Sequence, residues 1–145
     1  MKKGPKEVAR ILSSKDFLVS IEKQREEVVA AEYRVLKKTD NILEFEIMVT
    51  GYRHNKFGQM DKNETRTNVS YYKWNKSKNT ISVLWPGSGR IRIAGVYGIK
   101  PEGTGTRLSY EIEVDVRIPI MGPFIAGRIR NEMESSFNKL IEKLK

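Results

Sequence analysis

One histidine, His54, and no cysteine stand in this chain. A Ser-His-Asp triad or a His-based metal site would have to be assembled around that one ring, which lies in a polar stretch read as a surface loop. Zinc centres built on Cys ligands, a thiol nucleophile and a disulfide scaffold are excluded outright. No Gly-rich segment ending in Lys-Ser/Thr offers backbone amides to a phosphate. Glu111, Glu113 and Asp115 share one strand face, the pattern that paired carboxylates for acid–base work would need. The alternate positions of that strand are apolar, so these acids are expected in solvent. The residues therefore point to no catalytic group, no metal ligand and no cofactor.

Binding chemistry is better supplied. Strand alternation places Phe45, Ile47, Ile91, Ile93, Tyr97, Tyr110, Ile112 and Val114 on inward faces. Such a wall is apolar, yet its two tyrosine hydroxyls can orient the polar group of a ligand. Ile129 and Met133 face it from a C-terminal helix. Met121, Phe124 and Ile125, at the break before that helix, are expected at the mouth. The competing reading is that these side chains pack into a closed core.

The elements that must hold these residues follow from periodicity. Val8, Ile11 and Leu12 recur at helical spacing behind Pro5, and a second short helix over 15–24 carries Phe17, Leu18 and Ile21, with Ser13 and Ser14 between them. From Val28 the period becomes two. Strands run about Val29 to Val35 and Ile42 to Val49, joined by a turn at 37–41. Residues 53–62 are polar and read as a longer loop, and a strand with indistinct faces covers about 64–74. Ile81, Val83 and Trp85 form the next strand, a turn is expected at 86–89, and Ile91 to Ile99 alternate again around Gly95, read as a bulge or a close backbone approach. After the turn at 101–105, Leu108, Tyr110, Ile112, Val114, Val116 and Ile118 share one face. Gly122 is expected to N-cap, with Pro123 at the first helical position, a helix reaching about Leu144. Its stripe of Ile125, Ile129, Met133, Phe137, Leu140, Ile141 and Leu144 runs roughly 33 Å, long enough to cover a whole sheet. The order predicts an α+β fold, a curved antiparallel meander wrapped around one long C-terminal helix, with two short helices near the N-terminus.

Size and charge bound the remaining options. The 145 residues suit one domain, which at this length buries roughly 70% of its unfolded surface. No apolar run reaches the ~18 residues of a membrane-spanning helix, and the opening Met-Lys-Lys-Gly-Pro-Lys-Glu lacks the apolar core of a signal peptide, so a cytoplasmic location is expected. The net charge of +9 is spread along the chain with acids between the bases, more like a solvated surface than a nucleic-acid footprint.

Residues Gly95 to Leu144 resemble the START-like superfamily, also called SRPBCC. The resemblance is carried by Gly-Val-Tyr-Gly-Ile-Lys-Pro-Glu-Gly-Thr-Gly-Thr-Arg-Leu-Ser-Tyr, the strand from Glu111 to Arg117, Ile118-Pro119-Ile120-Met121-Gly122-Pro123-Phe124 and the amphipathic helix. The helix pair fits the superfamily's early helices, so residues 1–145 read as one START-like domain of helix-grip architecture. The resemblance implies binding or transport of a hydrophobic small molecule (lipid, isoprenoid or quinone-like) between sheet and helix; transient contact with a membrane surface is a separate expectation, from the net charge. It also admits a polyketide cyclase or dehydratase-like pocket enzyme, which would need an inward ionisable group; RNA binding through the basic surface is a third reading. One departure stands out: such proteins begin with a strand before the helix pair, and here four residues precede Pro5. A missing strand implies an uncovered sheet edge, expected to be covered by a second chain in a homodimer or by a rearranged edge.

Overall fold

The computed structural model of the protein describes residues 2–55, 57–87 and 90–145. Its elements run α1 (Pro5–Leu12), α2 (Lys15–Lys23), β1 (Val28–Lys38), β2 (Ile42–His54), β3 (Met60–Asn75), β4 (Thr80–Trp85), β5 (Ile91–Glu102), β6 (Gly105–Val116) and α3 (Gly122–Leu144). The six strands form one antiparallel sheet in sequence order. This is the α+β helix-grip arrangement read from periodicity.

Local chemistry accounts for the entry into the fold. Pro5 sits in the first turn of α1, where its missing N–H has no partner to lose. Val8, Ala9 and Leu12 on one side of α1 are fully buried. The Ser14 hydroxyl accepts the Phe17 amide at 3.3 Å and caps α2, so two short helices follow each other with a two-residue joint.

Register aligns the inward face into cross-strand rows. Phe45, Tyr72, Val83, Gly95 and Ile112 lie side by side across β2 to β6. Leu43, Trp74, Ile81, Tyr97 and Tyr110 form the next row. At one end Val8, Ala9, Leu12, Ile81, Ile99 and Leu144 make a buried cluster that joins α1, the sheet and the end of α3. A second cluster of Leu18, Phe45 and Ile47 sits beneath α2, with Phe45 stacked between Tyr33 and Tyr72 at ring-centroid distances of 4.8 Å on both sides.

Two details depart from the sequence reading, and a third settles an alternative it left open. The loop expected at 53–62 is shorter, because β2 continues to His54 and β3 begins at Met60. This arm extends beyond β1, whose pairing stops at Gly51, and beyond β4, whose pairing starts at Tyr71. Both its faces meet water, so it needs no apolar alternation. At α3 the N-cap is Met121, Gly122 is the first helical residue and Pro123 the second. Gly95 lies in continuous register, so it marks a close approach and not a bulge. Of the turn expected at 86–89, Ser88 and Gly89 lie outside the described residues.

Candidate functional site

The inward face of the sheet, α2 and the C-terminal half of α3 enclose a cavity of about 690 Å³. Its floor is Ile47 from β2, Tyr72 from β3, Tyr97 from β5 and Tyr110 from β6. Leu12, Leu18 and Ile21 close one side; Met133, Phe137 and Leu140 close the other. The volume lies within the range of sites that enclose a drug-sized molecule.

Aromatic packing shapes this floor. Tyr97 and Tyr110 stack at 4.4 Å between ring centroids, and Phe137 of α3 leans on them at 6.2 and 5.5 Å. The Tyr110 ring can lie down because it crosses Gly95: a Cβ there would come within 2.5 Å of Tyr110 Cε2 and 2.6 Å of its hydroxyl. Glycine is thus required for clearance at this position.

Three phenols, of Tyr72, Tyr97 and Tyr110, line the cavity, and among the described residues none of their hydroxyls has a hydrogen-bonding protein partner. Burial raises the pKa of each above the ordinary 10, to about 12 for Tyr110. They stay protonated at any physiological pH and can donate a hydrogen bond. The Tyr33 hydroxyl is spoken for, donating to the Ser13 carbonyl at 3.0 Å.

Charge is confined to the rim. Arg25, at the end of α2, pairs with Glu22 at 3.1 Å and Glu27 at 2.6 Å. Lys139, Glu142 and Lys143 project from α3, and the Lys143 ammonium donates to the Gln24 side-chain carbonyl, bridging the two helices across the opening.

Of the residues expected to bind a ligand, Ile47, Tyr97, Tyr110 and Met133 meet at this cavity. Phe45 lies beneath it in the buried cluster with Leu18 and Ile47. Ile91, Ile93, Ile112 and Val114 share the inward face of β5 and β6, with Ile91 and Ile93 beside Val116 and Val114 in the rows nearest the start of α3. Ile125 and Ile129 occupy the same stretch of the helix and are half-buried. None of these six lines the cavity. Met121 and Phe124, expected at the mouth, are 49% and 65% exposed and stand at the other end of α3.

Tyr72, the α2 residues Leu18 and Ile21, and Arg25 just beyond that helix were not expected at the site. For Tyr72 the signal was its aromatic partner Phe45 across the β2–β3 pair, readable once the register is known. His54 is exposed at the end of β2, and Glu111, Glu113 and Asp115 are exposed on the outer face. Among the described residues no cluster of three His, Asp or Glu is arranged to hold a metal.

A curved antiparallel sheet closed by a C-terminal helix over an apolar cavity defines a helix-grip-like α+β protein. Residues 53–144 match the family described as "Protein of unknown function (DUF2505)", and the chain belongs to that family. The same fold is found in the crystal structure of TTHA0849 from Thermus thermophilus, with a TM-score of 0.60 and 16% identity over 98% of this chain and 87% of that one. No curated protein matches the chain.

Proposed function

We propose that the protein is a START-like binding or carrier protein that holds one apolar molecule bearing hydrogen-bond-accepting oxygens, of the quinone, isoprenoid or lipid kind. The observation that carries this reading is the cavity of about 690 Å³ with three partnerless tyrosine hydroxyls in an apolar wall. An unpaired polar group in a closed core is unfavourable, whereas in a ligand site it waits for the ligand's oxygen. The stacked pair Tyr97–Tyr110 adds a flat surface for a ring or a conjugated chain. A pocket enzyme of the cyclase or dehydratase kind would need an ionisable group poised inside, and the carboxylates and cations of the lining stand at its rim.

Native mass spectrometry of the purified protein, followed by organic extraction, tests the proposal. A co-purifying apolar molecule of matching mass is expected, displaced by competing quinones. Tyr97→Phe with Tyr110→Phe should weaken a carbonyl-bearing ligand by about tenfold while leaving a pure hydrocarbon probe unaffected, since each hydrogen bond contributes roughly 0.5–1.5 kcal/mol. A protein that carries nothing and binds neither a quinone nor a hydrocarbon probe would sink the proposal.

A further inference from the structure

The junction between β6 and α3 carries an apolar point with no place in the cavity. Ile120 is 97% exposed, Phe124 65% and Met121 49%. Scattered exposed apolar residues are ordinary, but three within five positions on one projection are not. The projection is held out by its backbone. The Met121 amide donates to the Pro119 carbonyl at 2.7 Å and the Gly122 amide to the Ile118 carbonyl at 2.8 Å. This folds a γ-turn around Ile120, whose φ is +69°. A β-branched residue in the left-handed region is a costly choice that a loop free to vary would replace by glycine or asparagine.

The charge around this point is mostly positive. Between Asp115 and Glu132 the chain has no acidic residue, while Arg117, Arg128 and Arg130 fall in that interval. The Arg117 amide donates to the Arg90 carbonyl at 2.7 Å, which sets Arg90 beside Arg117 at the same end of the sheet. Arg128 stands one turn along α3 from Phe124, and the first turn of α3 holds no acid. Asp115 is paired with Arg117 at 3.3 Å. Among the described residues Arg90 and Arg128 are in no ion pair.

We propose that this end of the molecule docks on an anionic lipid membrane surface. Ile120, Met121 and Phe124 enter the boundary between headgroups and acyl chains, and Arg90, Arg117 and Arg128 lie against lipid phosphates. A projecting apolar tip inside a cationic collar suits a deformable anionic layer, which receives a convex point without a matching hollow. The whole chain, at +9, is drawn the same way. The surface is separate from the ligand site, whose lining on α3 begins at Met133, roughly 14 Å further along the helix axis.

Co-sedimentation of the full chain with vesicles decides it. The protein should pellet with vesicles of equal parts phosphatidylcholine and phosphatidylglycerol, far less with phosphatidylcholine alone, and less at high salt. Ile120→Asn with Phe124→Ser should lower affinity for the mixed vesicles by about tenfold or more. That variant should melt no lower than the parent, since both side chains are exposed and Asn tolerates the left-handed region. Arg90→Gln with Arg128→Gln should erase the preference for anionic vesicles. Wild-type protein that stays in the supernatant, or a folded apolar variant that pellets as well as wild type, would overturn the proposal. So would self-association without vesicles that disappears in the Ile120 variant, since the tip would then belong to a contact between copies.

Discussion

Residue by residue, the site depends on clearance as much as on contact. Tyr110 reaches across the sheet only because Gly95 has no side chain, and the ring then stacks on Tyr97 and meets Phe137. Gly95→Ala puts a methyl into the ring, which must tilt into the cavity. The expected result is a loss of about 1–3 kcal/mol in urea unfolding together with weaker ligand uptake. A variant as stable as the parent, with the near-ultraviolet tyrosine signal unchanged, would show that the ring has room to move. Gly95 could be read in the sequence as a close approach, but not what approached it, because Tyr110 lies opposite Tyr97 and reaches Gly95 diagonally. Tyr97 and Tyr110 themselves were legible as inward residues, since strict alternation fixes the face of a strand.

At the level of elements, alternation reveals which way a strand faces but not how a helix tilts over the sheet. The stripe from Ile125 to Leu144 was evident, yet only Met133, Phe137 and Leu140 of its apolar members border the cavity. Which half of α3 does so is set by α2 and by the buried end at Leu144, both distant in sequence from the helix start. The β2–β3 arm was missed for the opposite reason: a two-strand ribbon wet on both faces has no hydrophobic period to detect. The junction before α3 is a further element-level feature. With Ile120 at φ +69°, replacement by Asn should raise stability by about 1 kcal/mol, read as a higher melting temperature. An unchanged or lower melting temperature would mean that the turn relaxes at little cost in the parent.

For the whole molecule, the tyrosines couple folding to alkaline pH. Tyr33, Tyr72, Tyr97 and Tyr110 all hold their protons more tightly in the fold than at the ordinary value of 10, because burial disfavours the phenolate. Below pH 10 both folded and unfolded chains keep these protons and stability is intact. As the pH climbs past 10, the unfolded chain releases protons that the folded chain retains, so stability falls through the folded values, about 12 for Tyr110. Urea midpoints should therefore drop between pH 10 and 12, with part of the phenolate absorbance appearing only as the chain unfolds. Complete titration while the fold persists would contradict the buried placement of these rings. Among the described residues no helix is long and apolar enough to cross a membrane.

The Lys3 ammonium donates to the carbonyls of Leu144 at 2.7 Å and Lys145 at 3.1 Å, and the Thr106 hydroxyl donates to the Lys3 carbonyl at 2.7 Å. The segments at Lys3 and Leu144 are thus fastened together, and the buried cluster of Val8, Leu12 and Leu144 seals that contact. Fastened so, the first and last helices do not fray singly: loosening α3 at Leu144 uncovers Val8 and Leu12, and the two give way together.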